Sequence, residues 1–520
     1  RSRSARPLTT QRNPRPGASQ GGTMTTPLKL CSANLARIGE AVAVPAFERS
    51  AVRPGIVHLG VGGFHRSHQA VYTGRTLCLD SSWGICGVGL TRGDKKMEQT
   101  LTQQDHLYTL VTKKAKETSV EVIGSICDYI FAGEGKNTEK VLARLEDEQT
   151  RIASLTVTEK AYMLNDTTGD LDDTHPLIQH DLQSPNAPKT PVGFIVEGLR
   201  RRMANGHKPF TVLSCDNLPL NGHLTKKIVL QFANRVGGDV GLDQWIDENG
   251  AFPNTMVDRI TPATTPEDIT LVQRDFAIDD AWPVCAEDYT QWVIEDKFTQ
   301  GRPRWEDAGA LIVEDVAPYE HMKLRLLNGS HSALAYLSYL EGHRKVHNAM
   351  EDDDVYAFVS EYMEVVKATV PPPSGVSLDA YTHVLRERFS NPNVSDQISR
   401  LAEDGSKKMV SFVKDALNEL IYEHPDANVD VVAAAVAGWI RYSFAEDLEG
   451  KPIEIKDPQA GTLREYAEIS KRKGSGPFIG RFIGNQFAAS GRFRKRVDHY
   501  LDQLEKQGAR AVMQSATTGL

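Results

Sequence analysis

Apolar and polar positions divide the chain into two regimes. Up to about residue 300, short apolar runs alternate with amphipathic stretches; beyond it, apolar positions recur at helical spacing and strand candidates are rare. Gly55–Gly60, Trp83–Leu90 and Phe210–Cys215 read as buried strands, and Tyr108–Thr112, Ser119–Cys127 and Ile152–Val157 as further ones. His68–Leu79, residues 137–148 and Val192–Met203 have helical spacing, while the polar, proline-bearing stretch 165–191 reads as loop. This alternation predicts an α/β class with a parallel sheet. Ala357–Val370, Val394–Leu401, Lys408–Glu423, Val429–Phe444, Thr462–Lys471 and Phe493–Leu504 read as helices, so a second, mostly α-helical domain is expected. The division predicted is 24–317 and 318–520. A chain of 520 residues exceeds one ordinary core, in keeping with two domains.

One helical stretch has a polar stripe. In the segment from Glu320 to His331, at about 100° per residue with Lys323 at 0°, Glu320 falls near 60°, His331 near 80° and Asn328 near 140°. Leu324, Leu327 and the run from Leu334 to Leu340 supply apolar packing, so this stripe is expected on a buried helix. Converging buried polar groups need partners and make a site candidate. A desolvated lysine there serves as a general base, because burial lowers its proton affinity. A lysine, an asparagine and a histidine at this spacing also arise by chance in structural helices.

Three other segments carry candidate chemistry. Gly60, Gly62 and Gly63 form a tight turn between a strand and a helix, where backbone can approach a pyrophosphate; Phe64, His65 and Arg66 continue it. The third glycine of the usual dinucleotide fingerprint is replaced by His65, and an ordinary turn remains open as a reading. Asp94 follows the second strand, where an adenosine ribose would be held, and serves equally as a helix N-cap. Ser214–Gly222 ends a strand in polar residues, among them Asn217, which fit a ligand edge or a turn. Asp258 and Arg259, flanked by apolar residues, read as site residues or as a structural ion pair.

Composition narrows the class. A formal charge of −8 gives no support to nucleic-acid binding as the main role. No apolar run approaches the length of a membrane span. The six cysteines include no Cys-x-x-Cys pair, and no His-Glu-x-x-His occurs, so reduced thiols, a cytoplasmic location and no metal are expected. Residues 1–23 hold five arginines and no acid, without hydrophobic periodicity. They are expected to be a disordered basic tail, or an extension ahead of a start at Met24, rather than a transit peptide with an apolar face.

Taken together and in order, these segments resemble the mannitol 2-dehydrogenase family of polyol-specific long-chain dehydrogenases/reductases. The matching pieces are Gly60–Gln69, Ser214–Pro219 with Asn221-Gly222, Val257–Pro262 and Lys323–His331; Gln291–Asp296, Arg388–Pro392, Arg400-Leu401 and Asp404–Ser406 add to them. The likeness covers about residues 30 to 505. It implies a Rossmann-type N-terminal domain, a mostly helical C-terminal domain and metal-independent hydride transfer between NAD and a polyol or ketose, in mannitol members D-mannitol and D-fructose. It further implies Lys323 as general acid/base, Asn217 and Asn328 as the amides on the reacting oxygen, and Asp258, His331 and Arg400 as substrate contacts. Glu320, one turn before Lys323, is a candidate proton relay to solvent.

One position departs from the pattern. Family members that select NAD commonly carry an acid before the residue matching Asp94, and here Gly93 stands there beside Arg92, Lys95 and Lys96. NAD is the expected cofactor, with NADP not excluded. Alternative substrates are arabinitol, sorbitol or a hexuronate such as fructuronate, and a non-catalytic sugar or nucleotide sensor is the contrasting class. A monomer or weak oligomer is expected.

Overall fold

The computed structural model describes residues 26–165, 168–236 and 241–519. The expectation of disorder over 1–23 lies outside the described residues.

A five-stranded sheet organises the first half: β1 (Pro54–Leu59), β2 (Gly84–Gly89), β3 (Ile126–Phe131), β4 (Ile152–Leu155) and β5 (Thr211–Ser214). They pair in parallel throughout, in the spatial order β3-β2-β1-β4-β5. This is the doubly wound order, and its reversal beside β1 opens a crevice at the carboxyl ends of the strands. Side chains alternate between two cores. Val57, Leu59, Cys86, Val88, Ala153 and Leu155 enter one, while Ile56, Ile85 and Ile152 enter the other. Both faces are thus covered, which is why the strands read as nearly continuous apolar runs.

The expected strand Ser119–Cys127 is in fact parts of two. Thr118–Ile123 pairs antiparallel with Tyr108–Lys113, which pairs in turn with Val284–Glu287, and β3 begins only at Ile126. Gly124 sits at the break, where a Cβ would lie 2.9 Å from Pro45. The stretch expected as loop, 165–191, contains a helix at Pro176–Gln183, too short to show a periodic apolar face. It starts with a proline, and the His175 side chain accepts from the Leu177 N–H.

The described elements past Val313 are helices. At their centre lies Asp430–Tyr442, every residue of which is buried, as suits a helix apolar on all sides. Small residues admit its neighbours: a Cβ on Gly438 would stand 2.9 Å from Leu337. The helix expected at Phe493–Leu504 runs over Gly491–Thr518, broken at Gly508 with φ 86°. That expected at Val394–Leu401 shrinks to Ile398–Ala402. A helix the periodicity missed, Leu378–Phe389, lies against the first half. The loop after it anchors there, with Asn391 Nδ2 donating to the Lys113 carbonyl at 3.1 Å and Asn393 Nδ2 to that of Lys114 at 2.6 Å.

Candidate active site

The polar stripe expected on an α-helix lies on an interrupted one. Ala317–Met322 is α-helical, Lys323–Asn328 is a π-helical turn, and Gly329–Leu340 resumes the α-helix. The Gly329 N–H donates to the Leu324 carbonyl, five residues back. A wider turn rotates Asn328 toward the direction of Lys323, so the calculated 140° separation overstates their divergence. Packing holds the turn open: Arg325 Nη2 meets Glu419 Oε1 at 2.7 Å, and a Cβ on Gly329 would press on the Tyr362 hydroxyl at 3.0 Å.

Lys323 is buried, and its Nζ donates to Asn217 Oδ1 at 2.5 Å and to the Val257 carbonyl at 2.7 Å. Two donated bonds use both hydrogens of a neutral amine and leave its lone pair uncommitted. Burial lowers the proton affinity of Lys323; the Asp258 charge opposes this and Arg388 adds to it. Asn217 follows β5 and Val257 is the penultimate residue of the strand Thr255–Asp258, so the two halves of the chain meet at this amine. Because Asn217 accepts through Oδ1, its amide hydrogens remain for a ligand oxygen. Asn328 is half-buried, and its side chain makes no hydrogen bond among the described residues.

Glu320 is buried one turn before Lys323. Its carboxylate accepts from the Leu220 N–H at 3.1 Å, and burial pushes it up to about 7. It lines a narrow cleft of about 20 Å³ together with Asn217, Pro219, Thr255 and Lys323.

Asp258 and Arg259 do not pair with each other. Arg388, from the last turn of Leu378–Phe389, reaches across and grips Asp258 with two bonds of 2.8 and 2.9 Å. The same guanidinium holds Glu287 at 2.9 and 2.7 Å and lies 4.1 Å from the Tyr289 ring centre. Burial would raise the Asp258 carboxyl, but Arg388 outweighs it and keeps Asp258 below the usual range. Arg259 instead donates to the Glu287 carbonyl at 2.8 Å and to that of Ser67. His331 stacks on Phe389 at 4.2 Å, with Nε2 buried and without a hydrogen-bond partner, and burial pushes its pKa down to about 3. Arg400 is exposed and paired with Asp396, at the edge of this group.

At the glycine turn, Gly60 has φ +92°, and a Cβ there would meet the Thr156 carbonyl oxygen at 2.4 Å. Gly62 is the reverse, with nothing within 4 Å of the place of its Cβ, so a pyrophosphate can come against the backbone. Gly63 begins the helix Gly63–Ser67, and Phe64 stacks on His68 at 4.9 Å. The side chains of His65 and Arg66 point away from the turn. His65 is buried on His58 at 3.4 Å, and Arg66 is buried with Nη1 on the Trp282 carbonyl at 2.7 Å, so only their backbone is offered to a ligand. Asp94 Oδ2 accepts from the Thr91 N–H and hydroxyl at 2.8 and 2.9 Å, beyond the carboxyl end of β2. Arg92 lies 3.5 Å from Glu134, and Lys96 sits over the Trp282 ring.

The profile of the mannitol dehydrogenase Rossmann domain matches residues 54–307, and that of the mannitol dehydrogenase C-terminal domain matches residues 315–479. The chain belongs to the mannitol dehydrogenase family. It is 43% identical to the mannitol 2-dehydrogenase of Neosartorya fischeri, over 93% of this chain and 98% of the relative. A solved ternary complex of Pseudomonas fluorescens mannitol 2-dehydrogenase with NAD and D-mannitol superposes with a TM-score of 0.83 at 39% identity, covering 94% of this chain and 99% of that one. A substrate-free D-sorbitol dehydrogenase superposes with a TM-score of 0.86 at 34% identity, covering 94% and 100%. The Rossmann-type half and helical half are those of the family.

Sequence reasoning gave Arg388 no role, although the Arg388–Pro392 motif was visible. The signal available was an arginine in a motif otherwise rich in turn formers, and only the fold pairs it with Asp258 and Glu287.

Proposed function

We propose that this chain is an NAD-dependent polyol dehydrogenase that interconverts D-mannitol and D-fructose, with Lys323 as the general acid/base. The observation that carries the reading is the Lys323 amine, buried and donating to Asn217 and Val257 with its lone pair free. The family relatives named for mannitol and the complex with NAD and D-mannitol support the substrate and cofactor.

The open backbone at Gly62 fits a dinucleotide, with Gly60, Gly63 and Phe64 shaping the turn and Asp94 placed for a ribose. NAD, when bound, supplies the hydride acceptor. Lys323 takes the proton from the C2 hydroxyl in polyol oxidation and returns it to the ketose oxygen in reduction. Asn217 and Asn328 direct amide hydrogens at that oxygen and stabilise its alkoxide character, a role that asks nothing of a metal. Asp258, His331 and Arg400 orient the remaining hydroxyls. Glu320, with a pKa near 7, exchanges the Lys323 proton with solvent along the cleft they share.

The test is the initial rate of NADH oxidation with fructose, sorbose, tagatose, xylulose and fructuronate, with mannitol, sorbitol and arabinitol in the reverse direction. Fastest turnover on the mannitol and fructose pair is expected. A clear preference for sorbitol moves the chain toward the second structural neighbour, fructuronate alone toward a uronate reductase, and silence on the whole panel overturns the enzyme reading.

A further inference from the structure

Arg388 is among the most constrained side chains of the site. It is buried, forks onto both Asp258 and Glu287, and stacks on Tyr289. Its neighbour Phe389 stacks on His331. One helix end therefore sets two candidate substrate contacts, and the loop that follows fastens it to the other half through Asn391 and Asn393.

We propose that Arg388 is a positioning residue for the reaction: it locks the Asp258 carboxylate in one orientation and cancels that carboxylate's charge on the Lys323 amine. A forked guanidinium fixes a carboxylate in plane and direction, which the single point charge of a lysine does not. The inference rests on Lys323 being the acid/base. The charges facing that amine are Asp258 from its strand in the first half, and, from the same helical half as the amine, Glu320 in the preceding helical turn and Arg388 at the end of Leu378–Phe389. Asp216 lines the same cleft, and Glu287 lies behind Arg388. His68 and His331 also face this region but are held uncharged by burial, near 3. Net charge around the amine is thus set by Asp258 and Glu320, with Asp216 on the cleft wall, against Arg388, whose own charge Glu287 offsets from behind. Removing a member on either side moves the proton affinity of Lys323 in opposite directions.

The experiment is the pH profile of kcat/KM for mannitol oxidation, whose rising limb reports Lys323 losing its proton, in three variants with NADH binding followed by fluorescence. Glu287→Gln keeps the shape of the side chain and removes the charge that offsets Arg388 from behind, so its limb should move down, by up to about one pH unit. Arg388→Gln should move the limb up by a similar amount. Arg388→Lys keeps the charge and loses the fork, so its limb should stay in place while KM for mannitol rises about tenfold or more. Opposite displacements are not produced by a merely loosened fold. Should Arg388→Gln not fold, Glu287→Gln and Arg388→Lys still decide. An unmoved or upward limb in Glu287→Gln, or an unchanged KM in Arg388→Lys, overturns the inference. Lys323→Ala separates the two levels: a limb that survives there sinks the lysine reading itself, whereas a limb lost there but unmoved in Glu287→Gln sinks only the role of Arg388.

Discussion

Replacing Lys323 with alanine removes the amine on which the proposed chemistry turns. General acid/base catalysis by a placed side chain contributes about 10² to 10⁴ in rate, or about 2.7 to 5.5 kcal/mol of barrier at 1.36 kcal/mol per decade. A fall of kcat within that range is expected in both directions. The cost to the fold is smaller. The Asn217 Oδ1 and the Val257 carbonyl each lose a donor, at about 1 to 3 kcal/mol apiece if left dry. The adjoining cleft of about 20 Å³ has polar walls at Asp216, Asn217 and Glu320 and room for about one water, which can replace the amine, and burying a lysine costs desolvation that alanine avoids. A thermal midpoint within a few degrees of the parent is therefore expected, with NADH binding retained.

The pH dependence gives the sharper reading. Polyol oxidation needs the neutral amine, so kcat/KM for mannitol should climb with pH until Lys323 is deprotonated. Ketose reduction needs the protonated amine and should decline over the same span. Because burial lowers the proton affinity of Lys323, both limbs should lie below the ordinary lysine range. In Lys323→Ala both limbs should flatten. Turnover within tenfold of the parent, or a pH limb left intact, would refute the assignment.

Other consequences follow from the same geometry. Glu320→Gln keeps the bond from the Leu220 N–H but carries no proton, so the proton-dependent step should slow about tenfold with cofactor binding intact, and an unchanged pH–rate profile counts against a relay. Gly60→Ala should destabilise the fold by about 1 to 3 kcal/mol, whereas Gly62→Ala should leave the urea midpoint alone and weaken NADH binding; equal loss of stability in the two would contradict the assigned division of labour. His58, His68 and His331 are each held near 3 by burial, below the ordinary 6.5. Their neutral state supports folding fully above about pH 6.5, and this support is lost as pH falls toward 3. The three together give a slope of about 4 kcal/mol per pH unit below pH 6, and urea midpoints that stay flat from pH 7 to 5 would exclude it. At the cofactor end, Gly93 offers no acid against a 2′-phosphate, so NADPH should support measurable turnover; a strong exclusive preference for NADH would show that Asp94 suffices for rejection.

Where periodicity spoke, it spoke through burial. The strands β1, β2 and β5 were legible because both faces of the sheet are covered, so nearly every side chain on them had to be apolar. Lys323 and its neighbours were legible for the opposite reason, since polar residues interrupting an apolar helix need partners. Local pattern failed where a tertiary contact decided the backbone. The π-helical turn at Lys323–Asn328 is held by Arg325 on Glu419 and by Gly329 under Tyr362, and none of these recurs at a spacing that marks a π turn. The Ser119–Cys127 candidate divides at Gly124, where a Cβ would lie 2.9 Å from Pro45, a contact between segments distant in sequence that no local pattern marks.

His65 and Arg66 mark a different limit. Adjacency to a glycine turn named them as cofactor-binding without saying through which atoms; a helix beginning at Gly63 turns successive side chains to different sides, and these two go inward to His58 and Trp282, which leaves their backbone for that role. Arg388 is the converse case. The helix that carries it, Leu378–Phe389, mixes charged and apolar residues too evenly to announce itself, and its arginine lies 130 positions from Asp258. Yet two carboxylates on buried strand ends need a cation or a proton, and here the second half of the chain brings the cation. The carboxylates of the first half and the cation of the second thus meet, and the amine of Lys323, supplied by that same second half, works in the field which the pairing creates.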